Sequence, residues 1–156
     1  MKNEPLLELK IEKANKEDWN EIIALLKDAN LFSYIPDNEN YEKFYVVKTD
    51  KNIICCFALD VKTDIAILKS YAVKKELCGK GIGKNIASQL PDLGKNLGLK
   101  NIYAASWEAG DFWRKAGFKE INLNKSTSSC FLEYANSLEK DYPQFSKKTR
   151  YFILTP

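Results

Sequence analysis

Histidine is absent from the 156-residue chain. That absence removes Ser-His-Asp and Cys-His nucleophilic catalysis, HExxH zinc sites and every other imidazole-ligated metal. Any proton transfer has to run through a carboxylate, Lys, Tyr, Cys or water. Cysteine is sparse: Cys55, Cys56, Cys78 and Cys130, with no CxxC spacing. Scattered in this way they do not suggest a metal site. Adjacent Cys55 and Cys56 would point to opposite faces of a strand, and all four read as reduced thiols of a cytoplasmic protein. No run of ~18 apolar residues occurs, so no membrane-spanning helix and no membrane partner are expected. The N-terminus, Met1-Lys2-Asn3-Glu4-Pro5, is too polar for a signal peptide. Charge is not lopsided either: 24 basic residues against 21 acidic ones, formally +3. That balance is too mild to argue for a nucleic-acid partner.

What is present is an ordinary globular mixture, 45% hydrophobic and 29% charged, which excludes collagen-like and disordered classes. A chain of this size usually makes one domain, here expected over residues 1–156, and buries about 68–70% of its unfolded surface without help from disulfides or metal.

Leu7, Leu9 and Ile11 alternate with polar residues and predict a first strand. Asn15 can cap a following helix, with Glu17 and Asp18 in its first turn and Trp19, Ile22, Ile23 and Leu26 on its apolar face. Residues 31–40 contain Pro36-Asp37-Asn38 and read as a loop. Phe44–Lys48 and Asn52–Val61, separated by Thr49-Asp50-Lys51, predict a hairpin. Lys62-Thr63-Asp64 turns the chain into Ile65–Val73. A glycine-rich loop then leads into a helical stretch reaching about Asn96, with Gly98 after it and a strand at Asn101–Ser106. This strand–loop–helix–strand unit predicts two parallel strands. Pro91 inside the helical stretch predicts a kink or an early break, since an interior Pro costs about 3 kcal/mol. A short helix over Glu108–Ala116, a strand over Phe118–Leu123, a helix over Ser126–Lys140 stopped by Pro143, and a last strand at Tyr151–Leu154 complete the reading. For that last helix Phe131, Leu132, Ala135 and Leu138 form the apolar face. The class is α+β or mixed α/β, with a sheet of six or seven strands.

The segment Gly79-Lys80-Gly81-Ile82-Gly83-Lys84 carries the chemistry. Its glycines let backbone N–H groups turn inward, and the helix start adds unsatisfied donors and partial positive charge. That combination suits a phosphate or pyrophosphate. Four readings compete. A P-loop needs Ser or Thr after Gly83-Lys84, where Asn85 stands. A Rossmann fingerprint needs GxGxxG and a later acidic residue, and the following strand ends in Ala105-Ser106-Trp107. A coenzyme A pyrophosphate loop fits the spacing. A plain glycine-rich turn with solvated lysines stands beside these.

The run from Ala72 to Lys84 resembles motif A of the GCN5-related N-acetyltransferases, Q/R-x-x-G-x-G/A. The run Ala109-Gly110-Asp111-Phe112-Trp113-Arg114-Lys115-Ala116-Gly117-Phe118 resembles their motif B. Tyr142-Pro143-Gln144-Phe145 is similar to the single-domain branch related to N-acetylglutamate synthase. The resemblance implies a three-layer fold with helices on both faces of a mixed six- to seven-stranded sheet. It implies acetyl-CoA as cofactor and a small-molecule or peptide amine as acceptor, and it leaves room for a homodimer. The pyrophosphate would lie on the N–H groups of Gly79, Lys80, Gly81, Ile82, Gly83 and Lys84, and the pantetheine arm would pair with backbone at Tyr71, Ala72 and Val73. Cys78, Ser106 and Trp113 would lie along the cofactor. The Val73 N–H would polarise the thioester carbonyl, and the amine would attack directly.

Three positions depart from that pattern. Cys78 replaces the first Gln or Arg of the pyrophosphate motif. Ile67 falls where a Glu base is common. Trp113 replaces a Tyr acid, and an indole N–H donates a hydrogen bond without yielding its proton. The catalytic acid and base are therefore unassigned, with water, Tyr71, Glu76 and Asp60 as alternatives. A chain that binds coenzyme A without turnover is the alternative function. Tyr34, Tyr41, Phe44 and Tyr45 follow the first helix; they either stack on an acceptor or are half-buried aromatics of an edge strand.

Overall fold

The computed structural model describes residues 9–31 and 40–156. Among these, seven strands form one sheet in the order β1-β2-β3-β4-β5-β7-β6. They are β1 (Ile11–Lys13), β2 (Phe44–Thr49), β3 (Asn52–Lys62), β4 (Ile65–Val73), β5 (Asn101–Ser106), β6 (Lys119–Ile121) and β7 (Arg150–Leu154). The first four are antiparallel neighbours, β4 and β5 run parallel, and β7 lies antiparallel between β5 and β6. The helices are α1 (Trp19–Asp28), α2 (Ile82–Ala87), α3 (Leu90–Asn96), α4 (Gly110–Lys115) and α5 (Ser129–Asp141).

Strand parity sorts the core into two sides, as a period of two requires. On β4, Ala66 and Leu68 face Ile86, Ala87 and Leu90 of α2 and α3. Ile65 and Ile67 face Phe131 of α5. Cys55 and Cys56 divide in the same way, Cys55 toward α2 and Cys56 toward Ile22, Leu25 and Leu26 of α1. The β2–β3 hairpin closes through Asp50 and Lys51, both at positive φ (50° and 69°), the type I′ geometry that matches strand twist.

Several boundaries differ from the sequence expectation, each for a local reason. The long helix is two helices: α2 stops at Ala87, and α3 starts at Leu90 with Pro91 in its first turn, where a missing N–H costs nothing. A three-residue 3-10 turn, Lys16–Asp18, precedes α1, because the Asp18 carboxylate accepts the Asn15 N–H at 2.8 Å. Helix α4 begins two residues late, since Ser106 Oγ accepts the Ala109 N–H (2.9 Å) and holds the chain in a turn. Phe118 does not join β6; its N–H bonds to the Trp113 carbonyl (3.0 Å). Helix α5 starts at Ser129, after a turn in which Asn124 Oδ1 accepts the Ser126 N–H (2.8 Å). Leu7 of the expected first strand lies outside the described residues, as does Tyr34.

Candidate active site

Strands β4 and β5 pair only from Ile65–Asn101 to Leu68–Ala104. Beyond that point β4 carries a bulge. Lys69 faces Ala58 and Ala72 faces Cys56, so Ser70 and Tyr71 together oppose Phe57, and Ser70 takes a φ of 57°. A bulge bends its strand and raises the local twist, which turns the end of β4 away from β5. The two strands open into a cleft of about 730 Å³. Its walls include Leu68 and Tyr71 of β4, Ala104 of β5, Phe112 of α4 and Tyr134 of α5.

The ladder also determines what β4 offers to that cleft. The Lys74 N–H donates to the Ile54 carbonyl at 2.7 Å. Bonded and non-bonded pairs alternate along an antiparallel ladder, so Val73, opposite Cys55, turns its N–H and C=O away from β3. They face the side that β5 has left.

The glycine loop forms the outer rim. Gly79 and Gly81 hold φ at 79° and 80°, and no atom of the described residues lies within 4 Å of where a Cβ would stand at either. The space beside both is open. The first N–H groups of α2 have no acceptor within the helix and carry its positive end. Gly83 is glycine for another reason. A Cβ there would come within 3.1 Å of Val73 Cγ2 and 3.4 Å of Phe112 Cε1, so α2 could not lie this close to β4 and α4. Lys74, Lys75, Lys80 and Lys84 are exposed along the same stretch.

Of the residues singled out in the sequence, Tyr71, Val73, Cys78, Ser106 and Trp113 line one cleft. Gly79, Lys80, Gly81, Ile82, Gly83 and Lys84 continue from Cys78 along its rim, outside the lining. Ala72 turns its methyl into the α1 core and has only backbone to contribute. The sequence reading missed Lys69, Tyr134 and Asp141, which also line the cleft. Tyr134 and Asp141 are seven apart in α5, hence on one helix face, but nothing local says that this face borders a cavity.

Ile67 is 2% exposed and packs with Tyr103 and Phe131, so the position at which the motif resemblance places a base is buried apolar core. A carboxylate there would cost several kcal/mol. Asp60 stands opposite Ile67 on β3. Burial pushes its carboxyl up, but Lys69, Lys43 and Lys62 outweigh burial and hold it below the usual carboxylate range, which makes it a weak base. Burial raises the Tyr71 hydroxyl far above an ordinary phenol and the Tyr134 hydroxyl to about 12, so both stay protonated at neutral pH. Glu76 borders a separate hollow with Thr49 and Asn52. Trp113 is buried, edge-on to Tyr71, Phe112 and Phe118 at 5.1, 4.9 and 5.1 Å. Among the described residues no group of three acidic or thiol side chains is placed to hold a metal, and no helix is long and apolar enough to cross a membrane.

The model of the acetyltransferase (GNAT) domain family matches residues 40–120, just over half of the chain. The chain belongs to this family. The GNAT chain is 28% identical over 94 residues to an amino-acid acetyltransferase of Mycobacterium tuberculosis, across 60% of this chain and 53% of that protein. It thus spans about half the length of the curated relative it matches. Its fold is similar to N-acetylglutamate synthase from Neisseria gonorrhoeae complexed with coenzyme A and N-acetyl-glutamate. The TM-score is 0.74 at 18% identity, over 97% of this chain and 36% of that one. A Mycobacterium tuberculosis protein in complex with CoA superposes with a TM-score of 0.67 at 20% identity, over 94% and 99% of the two chains. The PaiA N-acetyltransferase of Thermoplasma acidophilum in complex with coenzyme A gives 0.65 at 15% identity, over 96% and 100%. The GNAT fold is what these likenesses share.

Proposed function

We propose that this chain transfers an acetyl group from acetyl-CoA to an amine by direct attack. One observation carries the reading: the glycine rim suited to a pyrophosphate and the freed backbone edge at Val73 border the same cleft, joined through Cys78. The N–H groups from Gly79 to Lys84 take the pyrophosphate. The backbone of Tyr71, Ala72 and Val73 takes the pantetheine arm as an added strand would. The Val73 N–H stabilises charge on the thioester oxygen as it develops. The acceptor nitrogen forms the new C–N bond, the C–S bond breaks with its electron pair leaving on the CoA sulfur as a thiolate, and the amine proton passes to water. A thioester is an activated acyl donor, so positioning, worth about 7–11 kcal/mol, supplies most of the rate without a strong base.

An amino-acid acceptor is supported by two observations. The Mycobacterium tuberculosis relative is named for that activity. Lys69 is the one cationic side chain among the described residues lining the cleft, where its ammonium, 3.3 Å from Asp60 and 4.6 Å from the centre of the Tyr134 ring, suits a carboxylate.

Calorimetry with CoA, acetyl-CoA, NADH and ATP, followed by thiol release over a panel of amines, tests the reading. CoA should bind, NADH and ATP should not, and amino acids should release thiol faster than their amides. Preferred binding of NADH or ATP overturns the cofactor. CoA binding with no thiol release for any amine overturns catalysis and leaves a CoA-binding module.

A further inference from the structure

Charge is unevenly placed along the cleft. Among the described residues that border it, Lys69 is the one cation, and Glu108 and Asp141 are the anions. Lys69 marks one end. Its ammonium lies 4.6 Å from the centre of the Tyr134 ring and 3.3 Å from Asp60. Asp60 also serves Lys43 and Lys62, at 3.6 Å each. One carboxylate shared by three ammonium groups leaves Lys69 with attraction for a further anion.

The two carboxylates mark the other end. Asp141 closes α5, seven residues after Tyr134. It therefore lies on the same helix face, about 10 Å further along the axis, and Leu138 between them borders the cleft as well. Glu108 follows Trp107, whose ring lies 6.2 Å from that of Tyr142, the residue after Asp141. That contact brings the loop between β5 and α4 to the end of α5. Trp107 also stacks on Phe145 at 4.5 Å and 7°, which ties the loop down. Neither carboxylate has an ion-pair partner among the described residues. Trp107 and Tyr142 border the cleft beside them. Carboxylates next to aromatic rings are surroundings that favour a cation.

We infer that the acceptor is an amino acid with a basic side chain, of the lysine or ornithine kind. Its carboxylate lies at Lys69, its distal ammonium at Asp141 and Glu108, and its α-amine attacks the thioester. The inference rests on the acetyl-transfer reading of the cleft and names the substrate class. Once two charge-assisted contacts of about 2.8 Å each are taken off, the span along α5 suits a side chain of three or four methylenes. The α-amine is the less basic of the two amines and loses its proton first, while the distal one stays charged. A dicarboxylic acceptor is disfavoured, because its second carboxylate would meet two groups of its own sign.

The experiment compares lysine, norleucine and glutamate, norleucine being lysine without its distal ammonium. Each is titrated into the CoA-bound protein by NMR, and each is assayed for thiol release from acetyl-CoA. Lysine should bind and react about tenfold better than norleucine, the scale of one charge-assisted contact, and glutamate should fall below norleucine. Mass spectrometry should find the acetyl group on the α-nitrogen. Glu108 and Asp141 are exposed, so the double variant Glu108→Gln, Asp141→Asn should keep the fold and its CoA affinity. In it the lysine-to-norleucine ratio should drop toward one. Glutamate at or above lysine, lysine equal to norleucine, acetylation of the distal nitrogen, or an undiminished ratio in the double variant would each overturn the inference. Binding of CoA with no thiol release from any amine is a different result: it removes acetyl transfer, and the order of the three affinities still decides the ligand class.

Discussion

Gly81 holds φ at 80° with open space where a side chain would begin. Gly81→Asp therefore meets no clash. It costs about 1–2 kcal/mol of backbone strain and places a carboxylate where the phosphates should lie. CoA affinity should fall by about 100-fold or more, the scale of ~3 kcal/mol of lost and reversed electrostatics, while circular dichroism stays native; a folded variant with unchanged affinity would move the site elsewhere. The cysteines make a second test. Cys55 and Cys56 are fully buried, with the Cys55 thiol pushed up to about 12 by burial and that of Cys56 raised for the same reason. Cys78 is exposed at the cleft mouth, its Sγ 3.6 Å from the Val73 carbonyl. Iodoacetamide at pH 8 should modify Cys78 and spare the buried pair. Saturating CoA should slow that reaction several-fold without protecting Cys130, measured by peptide mass spectrometry. Residue types at this scale were legible in the sequence: glycines at 79 and 81, Ile at 67, Trp at 113. Their surroundings were not, because burial of Ile67 under Phe131 depends on a residue 64 positions further along the chain.

Two elements can be separated by mutation. Helix α5 is held by Phe131, fully buried and stacked on Tyr103 at 4.6 Å and 19°, and it lines the far side of the cleft from α2. Phe131→Ala should cost about 3–5 kcal/mol. Under conditions where the variant stays folded, the acceptor KM should rise while CoA affinity holds. A matched loss of both in calorimetry and kinetics would mean that α5 does not act separately. Helix α1 is anchored at its start by Asp18, which is 7% exposed and lies 2.8 Å from the Lys48 ammonium. Burial raises the Asp18 carboxyl, but the Asn15 N–H and Lys48 outweigh it and hold it below the ordinary value. A depressed carboxyl stabilises the fold above its unfolded pKa of about 3.9 and loses that contribution as pH falls through the folded value. Asp18→Asn should therefore lower stability at neutral pH, and the gap to wild type should narrow below about pH 4 in urea melts. A gap independent of pH would assign the effect to packing. Element identity was legible from period and punctuation, including the break that Pro91 predicts. The exact ends were not, because Ser106, Asn124 and Asp18 set them through side-chain hydrogen bonds.

For the whole molecule, the absence of histidine now combines with a cleft in which Ile67 is core, Tyr71 and Tyr134 stay protonated and Asp60 is shared by three lysines. Turnover should then depend on the acceptor arriving as a neutral amine. Lysine-type amines titrate near 10.4 and terminal α-amino groups near 7.7–8.0, so kcat/KM should rise with pH until each acceptor's own pKa is passed. Profiles for two acceptors that break at one shared, lower pH would reveal an enzymic base and end this account. The division between chain and fold follows from the same facts. The sequence by itself determined the mixed α+β class, the hairpin, the parallel β4–β5 unit and the glycine loop at a helix start, because each is written in neighbouring residues through period, turn chemistry and residue type. Only the tertiary structure decided that the Val73 N–H turns away from β3, that the Tyr71 hydroxyl reaches the Gly83 carbonyl, and that α5 walls the cleft. Those depend on ladder parity, on a one-residue bulge and on which distant side chains share a core, and a register shift of one residue would reverse every one of them.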